Sequence, residues 1–115
     1  MSTLNHIVLF RVQRPEDLQG LVDFIKKMQS LSLRDGKPYI AGIECGTTRP
    51  YAPVRSLGYN FASILRFRSD EDRVYFLQDR VHTELIEFVR GKLLGEVLVL
   101  DFMDGVAQPI EVASC

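Results

Sequence analysis

Apolar and polar residues alternate along two segments of the chain with the period of two that is typical of a β-strand. The first segment covers residues 4–12 and the second covers residues 59–68. A shorter apolar stretch at residues 39–46, interrupted by a glycine, and another at residues 96–102 predict two further strands. The sequence therefore predicts four strands in total.

A helix is predicted between the first two strands, where apolar residues recur at intervals of three and four. Pro15 and the two acids after it mark the start, because proline fits the first turn and acids favour the positive end of the helix dipole. Gly36 and Pro38 are expected to stop the helix. The apolar positions are Leu18, Leu21, Val22, Ile25, Met28 and Leu31.

A second helical region is predicted in two parts. Ser69 followed by three acids resembles a capping box, and a short helix is expected from there to about Leu77. A further helix follows, which Gly95 is expected to end. Its apolar stripe, with one histidine, is Val81, His82, Leu85, Ile86, Val89 and Leu93. Residues 47–58 have two prolines and no periodicity, which predicts an ordered loop of a length that is often functional, such as a lid.

The order βαββαβ predicts an α+β, ferredoxin-like fold, with a four-stranded antiparallel sheet that carries helices on one face. The other face is expected to be bare and apolar, with Ile7 and Leu9 from the first strand and Val97 and Val99 from the last. Because such a surface is unusual on a monomer, we expect a homodimer through the open sheet face. The two sheets would stack into an α+β barrel.

Composition and charge narrow the class of protein. A chain of 115 residues forms one domain, which we place at residues 1–105, with a C-terminal tail at 106–115. Lys and Arg number 14 against 15 Asp and Glu, without a basic stripe, so nucleic acid is not an expected partner. No segment has the length of a membrane span or the pattern of a signal peptide. With two cysteines and no CxxC motif, we expect a cytoplasmic protein without structural zinc.

The two histidines of the chain, His6 and His82, are candidates for acid-base chemistry. Each lies on an apolar face of its predicted element, where a histidine is ordinarily a hydrogen-bonded core residue. A neutral imidazole also accepts a proton near neutral pH, as removal of a methylene proton between two carbonyls requires. Both interpretations stay open from the residues alone.

Four segments, taken in order, resemble the stress-responsive A/B barrel (Dabb) family. They are residues 5–11, Gly58 with Tyr59 at the start of a strand, His82 early in the last helix, and residues 97–102. The resemblance spans residues 4–102 and implies a small ferredoxin-like domain that forms a homodimeric α+β barrel. It extends to polyketide cyclases of the olivetolic acid cyclase type, which close linear poly-β-ketones by intramolecular aldol condensation without a cofactor.

The resemblance implies roles for both histidines, with His82 as general base and His6 polarising a carbonyl. In the family's helical motif, Phe76 stands at the position of an assisting tyrosine and Asp79 at that of a first histidine. Asp79 either orients His82 or caps the helix that follows. The residues expected to contact substrate on the helix side of the sheet are Phe10, Tyr51, Tyr59, Phe61, Phe67, Phe76 and Asp79.

The favoured function is a cofactor-independent cyclase or lyase for a small hydrophobic, carbonyl-rich, polyketide-like molecule. No nucleotide-binding glycine motif is present, and Asp101 with Asp104 lacks the third ligand of a metal site, so we expect neither cofactor nor metal. The alternatives are a non-catalytic stress-responsive dimeric barrel and a binding module for a hydrophobic ligand. A cavity that reaches His82 would favour the enzyme or the binding module over a filled barrel.

Overall fold

The structure is a computed structural model and describes residues 3–49 and 53–108, with only the backbone of residues 53 and 54. Strands and helices alternate along the described chain. In order they are β1 (Leu4–Phe10), a 3-10 turn (Pro15–Asp17), α1 (Leu18–Leu31), β2 (Leu33–Arg34), β3 (Lys37–Pro38), β4 (Ile40–Thr47), α2 (Pro53–Ser56), β5 (Phe61–Phe67), α3 (Asp70–Leu77), α4 (Arg80–Val89) and β6 (Leu98–Met103).

The four long strands form one antiparallel sheet in the order β4-β5-β1-β6. β1 lies inside the sheet, where it pairs with β5 on one side and with β6 on the other. This strand order, with helices between β1 and β4 and between β5 and β6, is the ferredoxin-like α+β fold. The predicted fold class is therefore confirmed.

The hydrophobic core lies between the sheet and the helices that cover one of its faces. α1 packs along β4 and also contacts α4, whereas α3 packs on β1 and β5. Alternate residues of β5 point into this core, as the period of two predicts: Phe61, Ser63, Leu65 and Phe67 are all buried. None of the described helices has the length and apolar character needed to cross a membrane.

The register between β1 and β6 corrects the predicted face of Val97 and Val99. Residues opposite each other in an antiparallel pair share a face, and Val99 lies opposite Val8, which belongs to the helix-covered face. Val97 also lies on the helix side, since it lines a cavity there. The bare face of β6 instead carries Leu98, Leu100 and Phe102, opposite Leu9, Ile7 and Asn5.

In the first half of the chain, the predicted ends of β1 and α1 are wrong, and two segments without a predicted element form short ones. β1 ends at Phe10, and Val12 makes only an isolated bridge with Leu93. α1 ends at Leu31, well before the expected stop. Asp35 and Gly36, with φ of 53° and 77°, form instead the turn of a hairpin between β2 and β3. Residues 53–56 of the expected loop form the short helix α2.

The second half shows similar shifts. β5 begins at Phe61, so Tyr59 precedes the strand, and β6 begins two residues later than expected. α4 ends at Val89, with Arg90 as its C-cap and Gly91, with φ of 79°, as the next residue. Gly95 is therefore not the residue that ends the helix. The predicted cap of α3 is confirmed, since the Ser69 hydroxyl accepts a hydrogen bond from the Asp72 N–H at 3.1 Å.

Candidate functional site

A cavity of about 220 Å³ lies between the helix-covered face of the sheet and helices α1, α3 and α4. Its walls are apolar side chains, except for the imidazoles of His6 and His82 and the hydroxyl of Ser63. The rim includes Ile86 and Val97, whose side chains are partly exposed, so the cavity opens between α4 and the start of β6. An interior filled by its own side chains does not fit this observation.

His6 and Asp101 form a close pair at the cavity wall. They lie opposite each other on β1 and β6, and His6 Nδ1 is 2.7 Å from Asp101 Oδ1. The His6 side chain is buried, whereas that of Asp101 is about a quarter exposed. The carboxylate accepts a hydrogen bond from Nδ1–H, which leaves Nε2 as the nitrogen with the free lone pair in the neutral ring. The carboxylate of Asp101 thus lies directly beside the His6 ring, on the side away from Nε2.

His82 faces the same cavity in a different environment. It lies in the first turn of α4, with its ring centroid 4.7 Å from that of Phe76. Burial lowers the pKa of His82, and nearby His6 lowers it further, although the Leu77 carbonyl and the Asp79 carboxylate act in the opposite direction. The buried Nδ1 has no partner at hydrogen-bond geometry among the described residues, so the Leu77 carbonyl acts only electrostatically. His82 is therefore neutral at pH 7.

Two of the predicted contact residues line the cavity. Phe76 lies against both imidazoles, since its ring centroid is also 6.3 Å from that of His6. Phe10 lines the wall on the β1 side. Direct contact of these two rings with a substrate stays a prediction.

Phe61 and Phe67 do not line the cavity, which corrects their predicted placement. Both are fully buried behind its wall. Phe61 packs edge-on against Phe10, with 5.6 Å between centroids, and Phe67 packs 6.0 Å from His6. Both rings therefore support the cavity wall from behind, through their contacts with Phe10 and His6.

Tyr59 also lies away from the cavity. Its ring packs beneath the guanidinium of Arg11 at 4.0 Å, beside a separate surface cleft that Thr48 and Arg49 also line. Tyr59 is therefore not among the residues that line the cavity of the two histidines, and its contact with a substrate stays a prediction. Tyr51 lies outside the described residues, and the role of its loop as a lid stays a prediction.

Asp79 is the N-cap of α4, the second of the two roles that the sequence left open. Its carboxylate accepts hydrogen bonds from the Val81 N–H at 2.8 Å and from the Tyr39 hydroxyl at 2.6 Å. Burial raises the pKa of Tyr39, and the hydrogen bond to Asp79 raises it further, so Tyr39 remains a protonated donor. Asp79 therefore acts on His82 only through its charge.

Asp101 and Ser63 belong to the site, although no sequence pattern pointed to them as residues of a substrate pocket. Asp101 is the one charged residue of β6, and an acid within an apolar strand was the available signal. Its partnership with His6 depends on the register of strands that are 95 residues apart in sequence. Among residues 3–49 and 53–108, no three His, Cys, Asp or Glu side chains are grouped to hold a metal ion.

Together, the fold and the cavity define a ferredoxin-like α+β domain with a histidine-lined pocket between sheet and helices. The chain belongs to the stress responsive A/B barrel domain (Dabb) family, which it matches over residues 4–104. A Fusaristatin A biosynthesis cluster protein from Gibberella zeae is 28% identical over 107 residues, or 92% of this chain and 72% of that protein.

Solved structures share the fold at low sequence identity. A hydroxynitrile lyase from Passiflora edulis has a TM-score of 0.73 at 18% identity, covering 93% of this chain and 97% of that one. A dimeric ferredoxin-like protein of unknown function from Thermobifida fusca has a TM-score of 0.70 at 15% identity, covering 88% and 90%. At these identities the likeness shows the fold alone.

Proposed function

We propose that the protein is a cofactor-independent cyclase or lyase that acts on a small hydrophobic, carbonyl-rich, polyketide-like substrate. The observation that carries this proposal is the His6–Asp101 pair at the wall of an apolar cavity that also contains a neutral His82. The name of the Gibberella relative places that protein in a biosynthesis cluster, and the Passiflora neighbour is a lyase. Similarity to cyclases of the olivetolic acid cyclase type and a cytoplasmic location are parts of the proposal.

The geometry favours His6 as the general base and His82 as the residue that polarises a carbonyl. These are the reverse of the roles expected from the sequence. A general base needs a lone pair directed at the substrate and a way to stabilise the cation that it becomes. Asp101 meets both requirements for His6. Its carboxylate lies 2.7 Å from Nδ1 and holds the proton there, which leaves the lone pair on Nε2, and its negative charge stabilises the cation. The desolvated ring of His82 makes an imidazolium costly, but its neutral ring still has one N–H to donate.

The reaction follows from these two roles. His6 Nε2 takes a proton from a methylene between two carbonyls, and the electron pair of that C–H bond moves toward a carbonyl oxygen to form an enolate. The N–H of His82 stabilises the developing oxygen charge. In a cyclase, the enolate carbon then attacks a second carbonyl of the same molecule, forming a C–C bond. The imidazolium of His6 returns its proton to the new alkoxide.

The direct test is incubation with a panel of linear poly-β-ketones, comparing product ratios and rates with those in buffer and with the His6→Gln variant. We expect the wild-type protein to raise the share of one cyclised or cleaved product. Tight binding of panel members with no change of product ratio would favour the binding module for a hydrophobic ligand. Neither binding nor turnover would leave the non-catalytic barrel as the better interpretation.

The proposed assembly is a homodimer through the bare sheet face. Part of this face is apolar, and the exposed side chains of Leu98, Leu100 and Phe102 lie next to the half-buried Ile7 and Leu9. Elsewhere the same face carries the ion pair of Glu44 and Arg66 at 2.7 Å. A second copy on a two-fold axis would cover the apolar part, and a stable interface needs at least about 1,200 Å² of total buried area.

We expect sedimentation equilibrium to give twice the monomer mass at micromolar concentration. Leu100→Glu should shift the equilibrium to monomer, because it introduces a charge into the apolar part of the interface. Leu31→Glu is the matched control, since Leu31 is also exposed, at 59% against 50% for Leu100, but lies on α1, on the opposite side of the sheet. A wild-type protein that is monomeric throughout, or equal effects of the two variants, would contradict this assembly.

A further inference from the structure

Ser63 is a buried hydroxyl that the proposed mechanism does not use. It lies on β5, lines the cavity, and is only 2% exposed. Its hydroxyl is the one hydroxyl group among the described residues that line the cavity. A ligand carbonyl oxygen that enters this apolar cavity loses its hydration, and a hydrogen bond from the Ser63 hydroxyl would offset that cost.

Ser63 lies close to His6, the proposed base, on the same face of the sheet. Ser63 lies opposite Val8, and His6 lies opposite Leu65, so Ser63 and His6 are diagonal neighbours on one face of the sheet. Diagonal positions of a sheet are about 7–8 Å apart, so their side chains can contact one small molecule. Because both residues line the cavity, we expect the Ser63 hydroxyl to reach a carbonyl oxygen while the His6 imidazole faces the carbon next to that carbonyl.

The charge of the site excludes anions. None of the described residues that line the cavity is Lys or Arg, so a buried carboxylate would find no cation. Behind His6 lies the carboxylate of Asp101, which would repel a second negative charge. An anion would also lose its hydration in a largely apolar cavity.

We propose that the cavity selects uncharged carbonyl compounds, which Ser63 holds by donating a hydrogen bond to a carbonyl oxygen, and that it rejects carboxylates of the same shape. This inference rests on the proposed function and narrows its substrate class. In ring closure, the carbonyl at Ser63 is one of the two that flank the methylene facing His6, and His82 polarises the other. Ser63 is thus a specificity-determining residue.

The test compares two probes of matched length and shape, 1-phenylpentane-1,4-dione and 3-benzoylpropanoate, in which a methyl ketone replaces a carboxylate. Binding is measured by calorimetry at pH 7 with the wild-type protein. We expect the diketone to bind and the carboxylate to bind on the order of 100-fold more weakly. No binding of the diketone, or equal binding of the two probes, would overturn the inference.

Variants of Ser63 test the hydrogen bond itself. Ser63→Ala should weaken binding of the diketone by about 3- to 10-fold, the usual worth of a neutral hydrogen bond. Ser63→Cys is the second variant, since it keeps the volume but is a poor donor. Ser32→Ala is the control, because the Ser32 hydroxyl is fully buried but lies outside the cavity. Unchanged binding in both Ser63 variants would overturn the role of Ser63.

These binding measurements are independent of turnover. If the diketone binds as expected but no poly-β-ketone is converted, the proposed catalysis fails while the ligand class stands. If poly-β-ketones are converted but the Ser63 variants bind and react as the wild-type protein does, the catalysis stands and this inference fails.

Discussion

His6→Gln should lower the rate of poly-β-ketone conversion by about 10²- to 10⁴-fold, the usual contribution of a positioned general base. The substituted amide has no lone pair that is basic at neutral pH, so proton removal from the methylene falls to water. The protein should keep its fold, because glutamine retains a donor that can reach the Asp101 carboxylate 2.7 Å from the present Nδ1. The measurement is the initial rate against buffer, with circular dichroism as the check on folding.

Asp101→Asn tests the same pair from the other side. The amide can donate to Nδ1 instead of accepting from it, which favours the tautomer with the proton on Nε2 and removes the charge that stabilises the imidazolium. We expect a loss of about 10²-fold in rate with little change in substrate binding. Asp104→Asn is the matched control, since Asp104 is exposed in the turn after β6. Equal rates for the two variants would contradict the role of Asp101.

The fold could be predicted from sequence because its signals are local. Alternation along β5 places Phe61, Ser63, Leu65 and Phe67 on the buried face, as the structure shows. β6 gave no such signal, because apart from Asp101 its residues are apolar on both faces, and the period of two then does not show which face is covered. The orientation of β6 is set only by its register with β1.

Only part of the candidate site could be predicted, because the rest depends on strand register, which is not a local signal in the sequence. Both histidines and Phe76 lie at the cavity, as the family resemblance implied. The partnership of His6 with Asp101 and the approach of Ser63 depend on which residues stand opposite each other in the sheet. Helix ends show a related limit: Leu93 continues the apolar stripe of α4, but the positive φ of Gly91 ends the helix first.

The neutral state of His82 has a consequence for the dependence of stability on pH. Burial lowers the pKa of His82, so the folded protein binds fewer protons at this site than the unfolded chain does. The free energy of unfolding should therefore fall as the pH drops below the ordinary imidazole value of about 6.5. Urea denaturation of the wild-type protein and His82→Gln at several pH values measures this effect. His6 is present in both proteins, so equal pH dependence would mean that His82 is not responsible.

Two substitutions of His82 distinguish a neutral donor from a base. If His82 donates a hydrogen bond to the enolate oxygen, His82→Gln keeps an N–H donor and should cost only about 10-fold in rate, whereas His82→Phe should cost on the order of 10²- to 10³-fold. In the wild-type protein the ring centroids of His82 and Phe76 are 4.7 Å apart. Phenylalanine at position 82 keeps an aromatic ring against Phe76, so packing is preserved. If His82 is the base, as the family resemblance implied, both variants should lose about 10²- to 10⁴-fold alike. Equal losses in the two variants, together with a mild effect of His6→Gln, would return the role of base to His82.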